Sequence, residues 1–130
     1  MNISESVVDY LADNGYGVFG TDIFIGGVPL DAPNKCMWVV AGGGSNIGKN
    51  GTGEKQKNYL VSIFYRNTDA KDVLDTLESL ESLVNSATCI DLDGYNVIEV
   101  EGTQFPIDQD LDNEDRSVGL IQVTITVYNN

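Results

Sequence analysis

Histidine is absent from this chain of 130 residues, and a His-based acid/base mechanism goes with it. Cysteine is nearly absent as well. Cys36 and Cys89 are the two present, each in an apolar, strand-like context. Without histidine they lack the usual partner for a zinc site or a Cys/His nucleophile. They can pair only if the fold brings their Cα atoms within about 7 Å, and buried free thiols are the expectation for a cytosolic chain. Basic residues are few: 7 against 20 acidic, a formal charge of -13. That balance argues against direct nucleic-acid binding, which depends on Lys and Arg neutralising phosphates. No apolar run approaches the roughly 18 residues of a membrane-spanning helix. The amino terminus lacks the basic-then-apolar layout of a secretory leader, so the chain is expected to be made and kept in the cytoplasm, away from membranes.

What is present is a chain long enough for one self-supporting domain, burying roughly two-thirds of its unfolded surface. Its most informative stretch runs from Cys36 to Tyr65. The apolar Trp38-Val39-Val40 gives way to a Gly-rich segment over residues 42–53 and re-forms as Tyr59 to Tyr65. Gly43 to Lys49 fits the first seven positions of the phosphate-binding pattern G-x-x-x-x-G-K-[ST]. That motif also needs a hydroxyl for Mg²⁺ and a helix that begins at once, so that its dipole faces the anion. Here Asn50 occupies the hydroxyl position, and Gly51 and Gly53 fall where the helix should start, each costing about 1 kcal/mol relative to Ala. The segment therefore reads as a β-hairpin with a flexible tip over residues 42–57.

Elsewhere Ile3, Val7, Val8 and Leu11 recur at helical spacing, with Ser4 as the expected cap and Asn14-Gly15 as the stop. Thr21 to Ile25 reads as a strand, and Pro29 and Pro33 make the next connection an extended loop. The two-sided apolar pattern of Tyr59 to Tyr65 predicts a central strand. Thr68 or Asp69 is placed to cap a long helix to about Asn85, with Ala70, Val73, Leu74, Leu77, Leu80 and Val84 as its apolar stripe. Its other side carries Asp72, Asp75 and Glu78 with Glu81 beyond. The expectation there is a solvated face, the alternative an acidic surface that repels something. Asp93-Gly94 marks a two-residue hairpin between Cys89–Leu92 and Tyr95–Ile98. Gln104 to Ser117 is polar and acidic. Leu120 to Tyr128 alternates strictly, with Ile121, Val123, Ile125 and Val127 on one side. The sum is an α+β domain over residues 1–130: a mainly antiparallel sheet with an N-terminal helix and one long helix packed on one face.

Chemistry-bearing constellations are weak. Asp108, Asp110 and Asp112 have the 1, 3, 5 spacing of a calcium-binding EF-hand loop, but Asn113 stands where Gly is needed and Gly119 where a bidentate Glu is needed. Twenty acidic residues give many accidental carboxylate pairs, and no Ser, Thr or Lys stands in a nucleophile context. No catalytic residue, cofactor or metal is expected. Trp38, Tyr59 and Tyr65 lie in strands, where core packing is the expected role; Tyr128 is open to either packing or binding.

One resemblance covers most of the chain in layout. Gly20-Thr21-Asp22-Ile23-Phe24-Ile25-Gly26, followed by Pro29, Pro33 and a strand ending in Gly42-Gly43, resembles the amino-terminal half of the tail terminator (minor capsid, or tail completion) proteins of long-tailed bacteriophages. Asp112-Asn113-Glu114-Asp115-Arg116 before an alternating last strand is similar to the segment preceding the final strand there. The Gly-rich stretch at 42–53 and the Thr-rich last strand depart from that family's pattern. The resemblance implies a structural virion protein of the tail and neck, assembled in the host cytoplasm. It implies a ring, typically of six copies, on the head-proximal end of the tail tube, meeting the tube protein on one side and a head-closure or neck protein on the other. DNA would pass through the lumen without specific binding. Contacts between subunits are then expected at Gly43, Gly44, Ser45, Asn46, Ile47 and Lys49 of the hairpin tip and at Asp112, Glu114 and Arg116. The alternatives are a head-closure protein of the same connector region and, outside the class, a small nucleotide-binding or enzymatic module using Gly43–Lys49.

Overall fold

The computed structural model describes residues 2–42, 45–49, 55–86, 92, 95–109 and 116–129. Helix α1 spans Ile3–Asp13 and buries Ile3, Val7, Val8 and Leu11. Its cap is Asn2 and not Ser4: Asn2 Oδ1 accepts from the Glu5 amide at 2.9 Å, while Ser4 is buried in the first turn. A side chain oxygen one residue before the first turn is what the orphan amides require, and Asn2 reaches them first. Asn14 follows, and Gly15 at φ +86° ends the helix, since a left-handed residue there costs Gly little.

The strands are β1 (Ile23–Ile25), β2 (Cys36–Ala41), β3 (Ser45–Lys49), β4 (Lys55–Asn67), β5 (Asn96–Gln109) and β6 (Ser117–Asn129). They form one six-stranded sheet in the order β1-β2-β4-β6-β5, with β3 also paired to β4. Strand β4 is central, as its two-sided pattern predicts. One half of it pairs with β2, from Ala41 opposite Val61 to Cys36 opposite Arg66. The other half pairs with β3, from Ser45 opposite Asn58 to Lys49 opposite Lys55. All its residues pair with β6 along the opposite side. Every pairing is antiparallel except β1 with β2, and the parallel pair is joined by the loop carrying Pro29 and Pro33.

Helix α2 (Ala70–Ser86) is capped by Asp69, whose Oδ1 accepts from the Lys71 amide at 3.0 Å. Val73, Leu77, Leu80 and Val84 are buried, a strict i, i+4, i+7, i+11 stripe. Leu74 falls outside that stripe and is 41% exposed, which corrects its assignment to the apolar face. Both helices cover the same face of the sheet, and Val39, Val61, Ile63, Ile121, Val123 and Ile125 meet them in one core. Gly119 on β6 sets how close α2 comes: a Cβ there would overlap Leu77 Cδ1 and lie 2.8 Å from Val73 Cγ1.

Strand β5 is longer than the hairpin arm expected after Asp93-Gly94. It runs through the polar stretch to Gln109, with register breaks between Val97 and Glu99 and between Phe105 and Asp108. Pro106 sits inside the second break, on an edge strand, where its missing N–H is tolerated. The other arm of that hairpin lies outside the described residues except for Leu92, which is buried. At the free edge of β5, Asn85 of α2 closes on the backbone of Gly102. Its Oδ1 accepts from the Gly102 amide at 2.9 Å, and its Nδ2 donates to the Gly102 carbonyl at 3.1 Å.

Candidate functional site

With both helices on one side, the opposite face of the sheet is left without a covering layer among the described residues. Alternation places Phe24, Trp38, Val40, Leu60, Ser62 and Phe64 there, because successive side chains of a strand point to opposite faces. Trp38 and Phe64 are register partners, and their rings stack at 5.1 Å between centroids with planes 2° apart. Leu60 is 43% exposed and Val40 is exposed too. Trp38 therefore packs outside the helix-covered core. Toward β5 the same face turns polar through Gln122, Thr124 and Thr126 and then acidic at the exposed Glu99 and Glu101. Tyr59 and Tyr65, by contrast, lie on the core side, as their strand positions predict.

The Gly-rich segment resolves in favour of a hairpin. Ser45, Asn46, Ile47 and Lys49 all belong to β3, which carries a register break between Asn46 and Gly48. Strand therefore reaches well into the stretch expected to be a tip. Lys49 ends one strand and Lys55 begins the next, and the few residues between them leave no room for the helix that a phosphate loop needs. Gly43, Gly44, Asp112 and Glu114 lie outside the described residues. Arg116 stands at the far end of the sheet from β3, so the two groups of expected interface residues are not brought together.

At that far end the side chains are committed to holding the chain in shape. Arg66 is 8% exposed; its Nη2 donates to the Pro33 carbonyl at 2.8 Å and its Nε to the Asn34 carbonyl at 3.2 Å. Arg116 Nη1 donates to Asn34 Oδ1 at 3.2 Å. The two guanidiniums thus fasten the β1–β2 loop to β4 and β6. Nothing local in the sequence marks Arg66 for this, because its acceptors are main-chain oxygens more than 30 residues away. Beside it, the Tyr65 hydroxyl donates to Asp72 Oδ2 at 2.6 Å and Asn67 Nδ2 donates to the same oxygen at 2.7 Å. Donation from Tyr65, then Asn67, holds the Asp72 carboxyl below the usual carboxylate range. Burial, reinforced by the Asp72 carboxylate, pushes the Tyr65 hydroxyl well up.

An open cleft of about 240 Å³ lies nearby, lined by Tyr16, Lys35, Tyr65, Asp75, Thr76 and Ser79 among others. Three of its hydroxyls are bonded within the protein: Tyr16 with Ser79 at 2.7 Å, and Tyr65 to Asp72. Among the described residues no group of His, Cys, Asp or Glu is arranged to hold a metal ion, and no helix is long and apolar enough to cross a membrane. Of the calcium-like triad, Asp108 lies in β5, while Asp110 and Asp112 lie outside the described residues. Cys36 is a buried free thiol, pushed up in pKa chiefly by that burial, and Cys89 lies outside the described residues.

What the described surface offers is contact area: an uncovered aromatic sheet face, a long strand pair at one end and a fastened loop at the other. No curated protein sequence matches the chain. The profile of one family, described as bacteriophage tail terminator protein, matches residues 10–129, taking in every strand of the sheet and α2. The family is a structural one, a component of the virion tail, and over nearly its whole length this chain belongs to the bacteriophage tail terminator family.

Proposed function

We propose that the chain forms a ring, of six copies, on the head-proximal end of the tail tube. There it ends tube polymerisation and presents the surface to which the neck of the filled head binds. Assembly takes place in the host cytoplasm, and the partners are further copies of the chain, the tube protein and a head-closure protein. The single observation that carries this reading is the family match over residues 10–129. The geometry agrees with it in kind: the conspicuous surfaces are broad faces suited to protein contacts. Association through such faces rests on many ordinary side chains with a few aromatic anchors, and Trp38 stacked on Phe64 is such an anchor. A formal charge of -13 suits a ring through whose hole DNA passes, because an acidic lining resists adhesion of phosphates.

The test is particle assembly in the absence of this protein, viewed by electron microscopy. Overlong tails unattached to filled heads are the expected result. Tails of normal length beside leaking heads would overturn the reading and assign the chain to head closure.

A further inference from the structure

Exposed apolar side chains scattered singly are ordinary on a protein surface, and gathered ones are not. Among the described residues the large ones gather on one side. Val18, Phe19, Leu30, Val40 and Leu60 belong to β2, the adjoining stretch of β4 and the two turns that flank β1. The exception, Leu74, stands on α2 with Lys71 and Glu78 as its neighbours at i−3 and i+4. Charge divides in the same way. Residues 17–42 carry Asp22, Asp31 and Lys35 and nothing else charged, whereas both helices expose acids, Asp9 and Asp13 on α1 and Asp75 and Glu78 on α2.

The side chains of this edge that reach furthest into solvent are displayed from turns held in one shape. Leu30, fully exposed, is the second residue of a turn in which the Ala32 amide donates to the Pro29 carbonyl at 3.1 Å. Pro29 and Pro33 fix the backbone on either side, and the buried Arg66 grips the Pro33 and Asn34 carbonyls. Val18 and Phe19, both more than half exposed, sit in a turn that is tied twice. The Val18 amide donates to Asp22 Oδ1 at 2.6 Å, and the Val18 carbonyl accepts from the Thr21 and Asp22 amides. Phe19 then bridges to Ile23 of β1. Apolar side chains that bury nothing in the fold, on loops whose conformational freedom is already lost, are what a preorganised binding surface needs.

Another copy of the chain is a poor match for this edge. A ring is built from contacts between two different patches, and a patch that meets itself makes a two-fold dimer instead. Among the described residues there is no second gathering of exposed apolar side chains to receive this one, because Leu74 stands by itself between charges. Resting on the ring reading above, we propose that the β1 edge, with Leu30, Val18 and Phe19 as its anchors, is the docking surface for a different protein. That protein is the end of the tail tube, which meets the edge with an uncharged surface holding a socket for Leu30. Of the partners in the ring reading, the tube end is the one that must stay bound throughout assembly, since further tube subunits compete for the same end. Apolar burial suits a lasting contact: it keeps its strength as salt rises, whereas attraction between exposed charges is screened away.

The test is cosedimentation of the full-length protein with tubes polymerised from the tail tube protein, with rings followed by analytical ultracentrifugation and folding by circular dichroism. V18S/F19S/L30S is expected to fold and to form rings as the wild type does, because these side chains are exposed in the subunit. Its affinity for tube ends should fall by about tenfold or more, as removal of central apolar anchors does. P29G/P33G keeps all three side chains and loosens the turn that displays Leu30, so it should bind several-fold more weakly. Wild-type binding should hold as salt rises from about 0.1 M to about 1 M. Tube binding by the triple variant equal to that of the wild type would overturn the proposal. So would rings that fall apart in that variant, which would assign the edge to contact between copies. Normal capping of tubes with failed joining to filled heads would also overturn it, and assign the edge to the neck. A wild-type protein that stays monomeric and ignores tube ends would overturn the ring reading itself, and the proposal with it.

Discussion

Replacing Gly119 with Ala tests how α2 is seated on the sheet. Glycine inside a strand ordinarily costs stability, so Gly→Ala at an unconstrained strand position gains about 0.5–1 kcal/mol. Here the sign reverses, because the added methyl would overlap Leu77 Cδ1 and approach Val73 Cγ1 to 2.8 Å. Both side chains are fully buried, and neither is a flexible tip that swings away. Overpacking of this kind costs about 1–3 kcal/mol. For a domain of this size, each kcal/mol lowers Tm by roughly 3–6 °C, so G119A should melt several to about 15 °C below the wild type in a circular dichroism scan. Leu77→Ala alone should cost about 2–5 kcal/mol through its cavity. In the double variant the new methyl enters the space that Leu77 vacates, and the cost should fall short of the sum by about 0.5–3 kcal/mol. A rise in Tm for G119A, or strict additivity in the double variant, would refute this account of the helix–sheet contact.

Arg66→Ala should lose about 1.5–3 kcal/mol in a denaturant titration, the range for hydrogen bonds from a charged group, with hydrogen exchange quickening in the loop over residues 26–35 that Arg66 holds. Acid should act through Asp72. Its folded pKa is depressed, so its contribution is present above the unfolded value of about 3.9 and is lost as pH falls through the lower, folded value. Tyr65→Phe should raise that folded pKa and flatten the fall in stability below about pH 4, measured by urea midpoints across that range; an unchanged slope would argue against the Tyr65–Asp72 bond. Asn85→Ala should cost about 1–3 kcal/mol for the two unsatisfied Gly102 groups, and incubation with an amyloid-sensitive dye should report faster aggregation than for the wild type.

Where apolar periodicity is strict, the sequence discloses the fold. The alternation of Ile121, Val123, Ile125 and Val127 puts all four in the core, and the absence of such a bias in Tyr59 to Tyr65 correctly marks the central strand. Leu74 misleads because it adjoins Val73 in sequence yet lies about 100° around the helix from it. The continuation of β5 through Gln104–Gln109 is invisible locally. Phe105 and Ile107 alternate for one repeat only, with Pro106 between them and polar residues on either side, and the strand is held by the register of β6. The parallel seating of β1 and the Arg66 clamp depend likewise on partners far along the chain. The broken phosphate pattern at Gly43–Lys49 is legible from Asn50, Gly51 and Gly53, and for residues 45–49 β3 supplies the positive reason: their backbone belongs to a ladder with β4. The aromatic face of Trp38 and Phe64 is the half-legible case. The strands that carry it were evident, but the side on which the helices settle was not.

The amide of Asn85 meets Gly102 as another strand's peptide group would, offering one acceptor and one donor to its backbone. In effect it is a dummy residue that occupies the edge of β5 and ends the ladder there. Pro106 and the two register breaks deny the same edge a straight template. Strand-by-strand growth, the commonest way for sheet proteins to stick together without limit, is thereby checked on this side. A member of a family named for halting a polymer carries on its own sheet a small stop of the same sort.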